Sequence, residues 1–208
     1  DIVAMLAHPS DAGEAGHAGV LEAVVHGVLR NLAAISGVEL DNMNRLSGWR
    51  FLKLGGRIER AILVCRQTRR LGLGAASAGM LDALLELNGS QITYRVRYPH
   101  GAARTPVLDL VLMDDGNPRS LAFALQRVEE HVGALTRMES EAGTTVAAGS
   151  AAVQTVGELM AAYRALDLAS LDVPALVGIE NLLMRLSDAV TARYFDLSDA
   201  TGDGREAQ

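Results

Sequence analysis

The sequence predicts an all-α fold, an antiparallel bundle of five or six helices with no sheet. Aromatic residues make up only 4% of the chain while alanine and leucine abound. That mix suits closely packed helices better than stacked strands, which draw on Val, Ile, Thr and aromatic side chains. Apolar residues also recur at intervals of three and four along most of the length. The one run with strand propensity, "VLDLVLM" at 107–113, has no second strand to pair with and reads as a short helix.

A chain of 208 residues is long enough for one sizeable core. Hydrophobic residues at 49% and charged ones at 21% give a globular balance rather than a disordered one. The net charge of -6 and pI near 5.4 supply no general field for nucleic acid or an anionic membrane, so any basic site is local. Cys65 is the single cysteine, which excludes an intrachain disulfide framework and a cysteine-rich metal site and fits a reducing cytoplasm. No uninterrupted apolar run reaches the roughly 20 residues of a membrane span, and no signal peptide is evident, so no membrane association is expected.

Residues 1–17 read as a flexible lead-in, residues 18–196 as the helical domain and residues 197–208 as a disordered tail. The histidines of the lead-in have no metal-ligand spacing. From Val20 a first helix shows Leu21, Val25, Val28, Leu32 and Ile35 at helical spacing and ends near Gly37. The second, "GWRFLKLGGRIERAILVCRQTRRL" at 48–71, aligns Phe51, Leu54, Ile58, Ile62 and Cys65, with Leu52 and Leu63 widening the stripe. Glu59 and Arg66 then fall inside the apolar face. Gly72 and Gly74 end this helix, and "GLGAASAG" is a plain connection, with no preceding strand and no following Lys-Ser/Thr to make a phosphate loop.

A third helix is expected from Leu81 to Tyr98, stopped by Pro99, with Asn88 and Arg95 close to the middle of its stripe. Arg95 cannot lose its charge and so needs a partner, solvent or a ligand. Asn117 as N-cap and Pro118 in the first turn announce the helix of Leu121, Leu125, Val128, Val132 and Leu135. A loose linker at 139–151 leads to helices over about 152–169 and 175–195, the latter after Pro174.

Four blocks in order, "NMNRLSGWRFLKLGGRIERA", "LDALLELNGSQITYRVRYPH", "PVLDLVLMDDGNPRSLAFALQRVEEHV" and "LSDAVTARYF", resemble the alpha-E family, an all-helical domain named for a Glu-Arg pair that Glu59 and Arg60 match. The resemblance covers most of residues 20–196. It implies a domain fused to, or encoded beside, a circularly permuted ATP-grasp protein similar to amide or peptide ligases, often with transglutaminase-like peptidases. ATP and Mg would belong to that ligase partner and no cofactor to this chain. A full family member carries an earlier Glu-Arg helix that nothing before Val20 matches, so the chain is expected to be the C-terminal portion of a larger protein. The family's last block often continues into Ser-His, whereas Tyr194 and Phe195 here lead into "DLSDA".

The polar residues can be read in two ways. Glu59, Arg66, Asn88 and Arg95 each lie in or beside an apolar stripe, so they are expected either to meet in a buried network that fixes helix register or to line a cleft. In the cleft, Arg66 and Arg95 would offer planar forks to a carboxylate or phosphate, oriented by Glu59 and Asn88. Tyr94, Arg97 and Tyr98 sit at the end of the same helix and suggest a partner surface or ordinary packing. Asp114 and Asp115 precede a helix start, where acids suit the dipole, and pair naturally with Arg119; two adjacent acids alone do not make a metal site.

No side chain stands in a recognisable triad or zinc pattern. Cys65 on an apolar face is expected in the core. The leading expectation is therefore a non-catalytic accessory domain with a possible homo-oligomer. The alternatives are an enzyme using Glu59 as acid or base, and a purely structural dimerising bundle.

Overall fold

A computed structural model describes residues 14–99, 101–143 and 151–195, and among them every regular element is helical. The helices are α1 (Glu14–Asn42), α2 (Ser47–Leu71), α3 (Ala78–Leu87), α4 (Gln91–Arg97), α5 (Arg104–Leu108), α6 (Leu121–Glu141), α7 (Ala151–Arg164) and α8 (Val173–Tyr194). One π-helical turn, Asp109–Met113, continues α5. The chain divides into two compact units, residues 1–49 and 50–208.

The first unit holds α1. The helix begins at Glu14, inside the expected lead-in, and runs past Gly37 to Asn42; residues 1–13 lie outside the described residues. Its expected core stripe is not a core, since Leu21, Val25, Leu32 and Ile35 are exposed, as are Leu29 and Val38. Gly19–Glu39 is also long and apolar enough, by length and composition, to cross a bilayer, with a mean hydropathy of 1.2. It is not an uninterrupted apolar run, since Glu22, His26 and Arg30 interrupt it. Glu22 and Arg30 fall within that stretch, and a charge at membrane depth costs several kcal/mol, on the order of 3 each, so the composition is weak evidence of a span.

The second unit contains the hydrophobic core. Leu54, Leu84, Leu85, Leu108, Leu112, Leu125, Leu159, Ile179 and Leu183 are fully enclosed. Chain punctuation follows local chemistry. Ser77 caps α3 by accepting from the Met80 amide, and Asp172 caps α8 by accepting from Ala175 with Pro174 in the first turn, where its missing N–H costs nothing. Gly72 closes α2 where space demands it: a Cβ there would lie 2.9 Å from Leu108 Cδ2 and 3.1 Å from Leu84 Cδ2.

Arg104 then fastens the end of α2 to the connection between α7 and α8. Its guanidinium donates to the carbonyls of Gly72 (3.3 Å), Leu168 (3.5 Å) and Leu171 (3.4 Å). The run at 107–113 is helical as expected, and Val107, Leu108, Leu110, Val111 and Leu112 are all buried, which leaves Asp109 as its exposed position and too narrow a solvent face to give it a clear period. Residues 144–150 of the expected linker and the tail beyond 195 lie outside the described residues.

Several expected boundaries change. The helix expected over about 152–169 ends at Arg164, and residues 139–141 of the expected linker belong to the last turn of α6. The helix expected over Leu81–Tyr98 breaks at Asn88-Gly89-Ser90 into α3 and α4, because Gly89 takes a φ of 54° that an α-helix does not accommodate. The N-cap of α6 is Ser120 rather than Asn117: the Ser120 hydroxyl accepts from the Phe123 amide at 3.1 Å and donates to the Asp114 carbonyl at 2.6 Å. Asn117 and Pro118 belong to the turn before it.

Candidate functional site

The face that α2 buries decides where the polar residues go. Its enclosed side chains are Leu54, Ile58, Ala61, Val64, Cys65 and Thr68. Leu52 and Leu63 are exposed. The buried stripe therefore extends toward the small residues Ala61, Val64 and Thr68 rather than toward the leucines. At 100° per residue, Glu59 points roughly 150° from its centre. Glu59 is exposed and makes no ion pair among the described residues.

The carboxylate that does sit inside the protein is Glu180 on α8, 5% exposed. Arg66 Nε donates to its Oε2 at 3.1 Å, and Arg69 Nε lies 2.7 Å from Oε1. The Arg69 contact is a close charge pair off the N–H line rather than an aligned hydrogen bond. Arg66 is half-exposed and Arg69 largely covered, so the two cations reach inward from solvent to one buried anion. The pair spans 114 residues and locks the register of α2 on α8. Cys65 lies beneath it. Burial, followed by the Glu180 charge, pushes its thiol up to about 12, so it stays protonated and is no nucleophile near neutral pH.

The expected group of Glu59, Arg66, Asn88 and Arg95 does not assemble: no hydrogen bond or ion pair joins any two of the four. Arg66 serves Glu180, Glu59 and Arg95 are exposed, and Asn88, 1% exposed, donates its amide to the Leu84 carbonyl at 2.9 Å as the C-cap of α3.

A second polar network forms where α3 and α4 meet the turn before α6, and it collects much of what the sequence marked. Asn117 Nδ2 donates to Ser90 Oγ and to the Leu110 carbonyl, both at 3.1 Å, and its Oδ1 accepts from the Arg119 amide. Arg97 pairs with Asp114, whose other oxygen accepts from the Gly116 amide at 2.9 Å. Asp115 is exposed. Arg119 pairs with neither acid; its guanidinium lies over Gly89 and donates to the Gly89 carbonyl at 2.8 Å. Tyr94 is buried, and its hydroxyl accepts from the Ala103 amide at 3.0 Å. These contacts are mostly to backbone, and three of them reach back 17 to 30 residues, so they brace the turn before α6 against α3 and α4.

A row of positive charge lies on the flank of α2. Arg50, Lys53, Arg57 and Arg60 recur at intervals of three and four along one stripe beside the buried face. Arg57 and Arg60 are part-buried, and neither makes an ion pair among the described residues. The Arg57 guanidinium stands 5.0 Å from the centroid of Phe123 on α6 and donates to the Pro118 carbonyl at 3.4 Å. Arg127 sits 4.8 Å from the same ring and pairs with Glu130.

Burial, and then the charges of Arg127 and Arg60, hold the Arg57 guanidinium below its ordinary range. Buried His131 is held below the usual imidazole range by burial and then by Arg50, with Arg57 and Arg127 adding and Glu130 opposing, so it adds no charge at neutral pH. Sequence reading singled out Arg60 but missed Arg57, Arg69, Arg127 and Glu180. The signal available was the three–four spacing of cations from 50 to 60. Among the described residues no group of three or more His, Cys, Asp or Glu is placed to hold a metal ion.

A family model described as a predicted alpha-helical domain with a conserved ER motif matches residues 4–195. The chain belongs to the Alpha-E family. Glu59–Arg60 is the only Glu-Arg dipeptide in its sequence, so α2 carries a pair of the kind for which the Alpha-E domain is described, with Arg60 on the cationic stripe and the exposed Glu59 off it. The match begins at residue 4, well before Val20 where the resemblance was expected to start. Uncharacterized proteins of Mycobacterium tuberculosis and Mycobacterium bovis are 31% identical over 104 residues, 48% of this chain and 12% of each relative. The chain thus corresponds to a small part of those much longer proteins. No solved structure matches it.

Proposed function

We propose that this Alpha-E chain is a helical accessory domain that binds rather than catalyses. In this reading it holds the anionic group of a peptide or other amide-ligase substrate at the arginine flank of α2, beside an ATP-grasp partner fused to it or encoded nearby. One observation carries the binding role: Arg57 and Arg60, part-buried a turn apart on the helix of the Glu-Arg pair, have no carboxylate partner among the described residues. Guanidinium forks in that state suit a carboxylate or phosphate. The ligase association comes from the family resemblance, and ATP and Mg belong to that partner.

The groups that could begin a reaction favour this reading over catalysis. Glu180 is held by two arginines, Cys65 is held protonated, and Glu59 is solvated at the surface rather than set in the buried environment that raises a carboxylate toward general-base work. The capture pair becomes Arg57 and Arg60 in place of Arg66 and Arg95, because Arg66 is engaged by Glu180. The test is co-purification of the full-length parent with its neighbouring ATP-grasp protein, wild type against Arg60→Glu. Charge reversal at this half-solvated position is expected to leave the fold intact and lower recovery of the partner at least tenfold; equal recovery would sink the proposal.

A structural role as a dimerising bundle is favoured by a different observation, the exposed row Leu21, Val25, Leu29, Leu32 and Ile35 on α1. It predicts a dimer at micromolar concentration that Leu29→Glu dissociates. A wild-type chain that sediments as a monomer throughout that range removes this second role.

A further inference from the structure

We infer that Arg57, Arg60 and Arg127 form a phosphate-binding site on the second unit, walled on one side by Phe123 and the Pro118 carbonyl. This deepens the binding role proposed for α2 and rests on it in naming the ligand's class.

The argument begins with charge. Arg57 and Arg60 project from successive turns of α2, about 4.5 Å apart along the axis. Arg57 and Arg127 approach the Phe123 ring at 5.0 and 4.8 Å, so α2 and α6 bring two guanidinium groups to one ring, and Arg60 stands near enough for its charge to act on Arg57. Among the described residues Glu130, on Arg127 and itself exposed, is the one acid paired to any of the three. Burial and the repulsion of Arg127 and Arg60 act together on Arg57. A fold that holds like charges this close and part-buried meets an electrostatic cost, which a bound anion offsets.

The chemistry then narrows the anion. Phe123 already carries a guanidinium from each of α2 and α6, so the ring holds cations in place. What the site offers is N–H donors from several directions. A phosphate, with three acceptor oxygens and a charge of about -1.5 to -2 at neutral pH, can take donors from three side chains at once. A single carboxylate has two oxygens and one charge.

The test uses the whole chain with inorganic phosphate as probe, at constant ionic strength against chloride and acetate, read by thermal unfolding and by the arginine Nε–H signals in NMR spectra. Phosphate is expected to raise the melting temperature more than acetate does and to move the Arg57, Arg60 and Arg127 signals. Arg60→Gln and Arg127→Gln should each weaken phosphate binding about tenfold, while Arg119→Gln, whose side chain lies on Gly89, should not. Equal effects of phosphate, acetate and chloride overturn the inference. So does phosphate binding that survives both substitutions, or that leaves the three arginine signals unmoved in wild type, which keeps the test decisive even if a variant fails to fold. Because no ligase is present, a positive result here with failed co-purification rejects the partner and keeps the site.

Discussion

Replacing Arg66 and Arg69 together by glutamine destabilises the protein more than replacing Glu180 by glutamine. The asymmetry follows from where water can reach. In the double variant the Glu180 carboxylate, its side chain only 6% exposed, loses both cations. An uncompensated buried charge costs about 3–5 kcal/mol. In Glu180→Gln the two arginines remain, with side chains 52% and 28% exposed, and they can turn to solvent while the new amide still accepts a hydrogen bond. Loss of the charge-assisted contacts then costs roughly 1.5–3 kcal/mol. Urea unfolding at neutral pH measures both. Equal losses, or a double variant within about 1 kcal/mol of wild type, would show that Glu180 reaches water and does not hold α2 to α8.

The second large effect concerns Leu108 and Gly72. Leu108 is fully enclosed, and its truncation to alanine is expected to cost about 2.7–5 kcal/mol through lost burial and the cavity left behind. Gly72→Ala alone adds a methyl 2.9 Å from Leu108 Cδ2 and 3.1 Å from Leu84 Cδ2, an overpacking penalty of about 1–3 kcal/mol. Combined, the methyl enters the space the leucine vacates. The double variant should therefore be more stable than the sum of the two singles by about 1 kcal/mol or more. Additivity to within about 0.5 kcal/mol would mean that the remaining contact, the Thr68 carbonyl at 3.1 Å, sets the cost of a side chain at 72.

Both results bear on how function reads out of this fold. The buried Glu180 carboxylate and its two arginines form a structural contact, and Arg57 and Arg60 sit one helix flank away from it. An experiment on Arg66 therefore reports on stability, whereas Arg57, Arg60 and Arg127 report on binding. Arg104 illustrates the same distinction. It is a part-buried cation with no acid partner among the described residues, yet its fork is satisfied by three backbone carbonyls. It is a strut, and no ligand is needed to explain it.

The sequence by itself determined that the chain is helical, that Pro99, Gly72 and Pro174 mark helix limits, and that Cys65 belongs to the core. Each of these depends on a residue's own backbone preference or on neighbours three and four places away, and such information is local. Tertiary structure alone decided which edge of each apolar stripe is covered. In α2 the stripe could widen toward Leu52 and Leu63 or toward Ala61, Val64 and Thr68; large residues made the first look better, but close helix packing chose the small ones and turned Glu59 outward. Glu180 reads in sequence as one more acid on a helix, and it becomes the buried partner of Arg66 only because α8 docks there 114 residues later. Which like charges on α2 and α6 converge at Phe123 was decided the same way. Helical period fixes an angle within one element, while the partner of a side chain across an interface depends on how two elements pack.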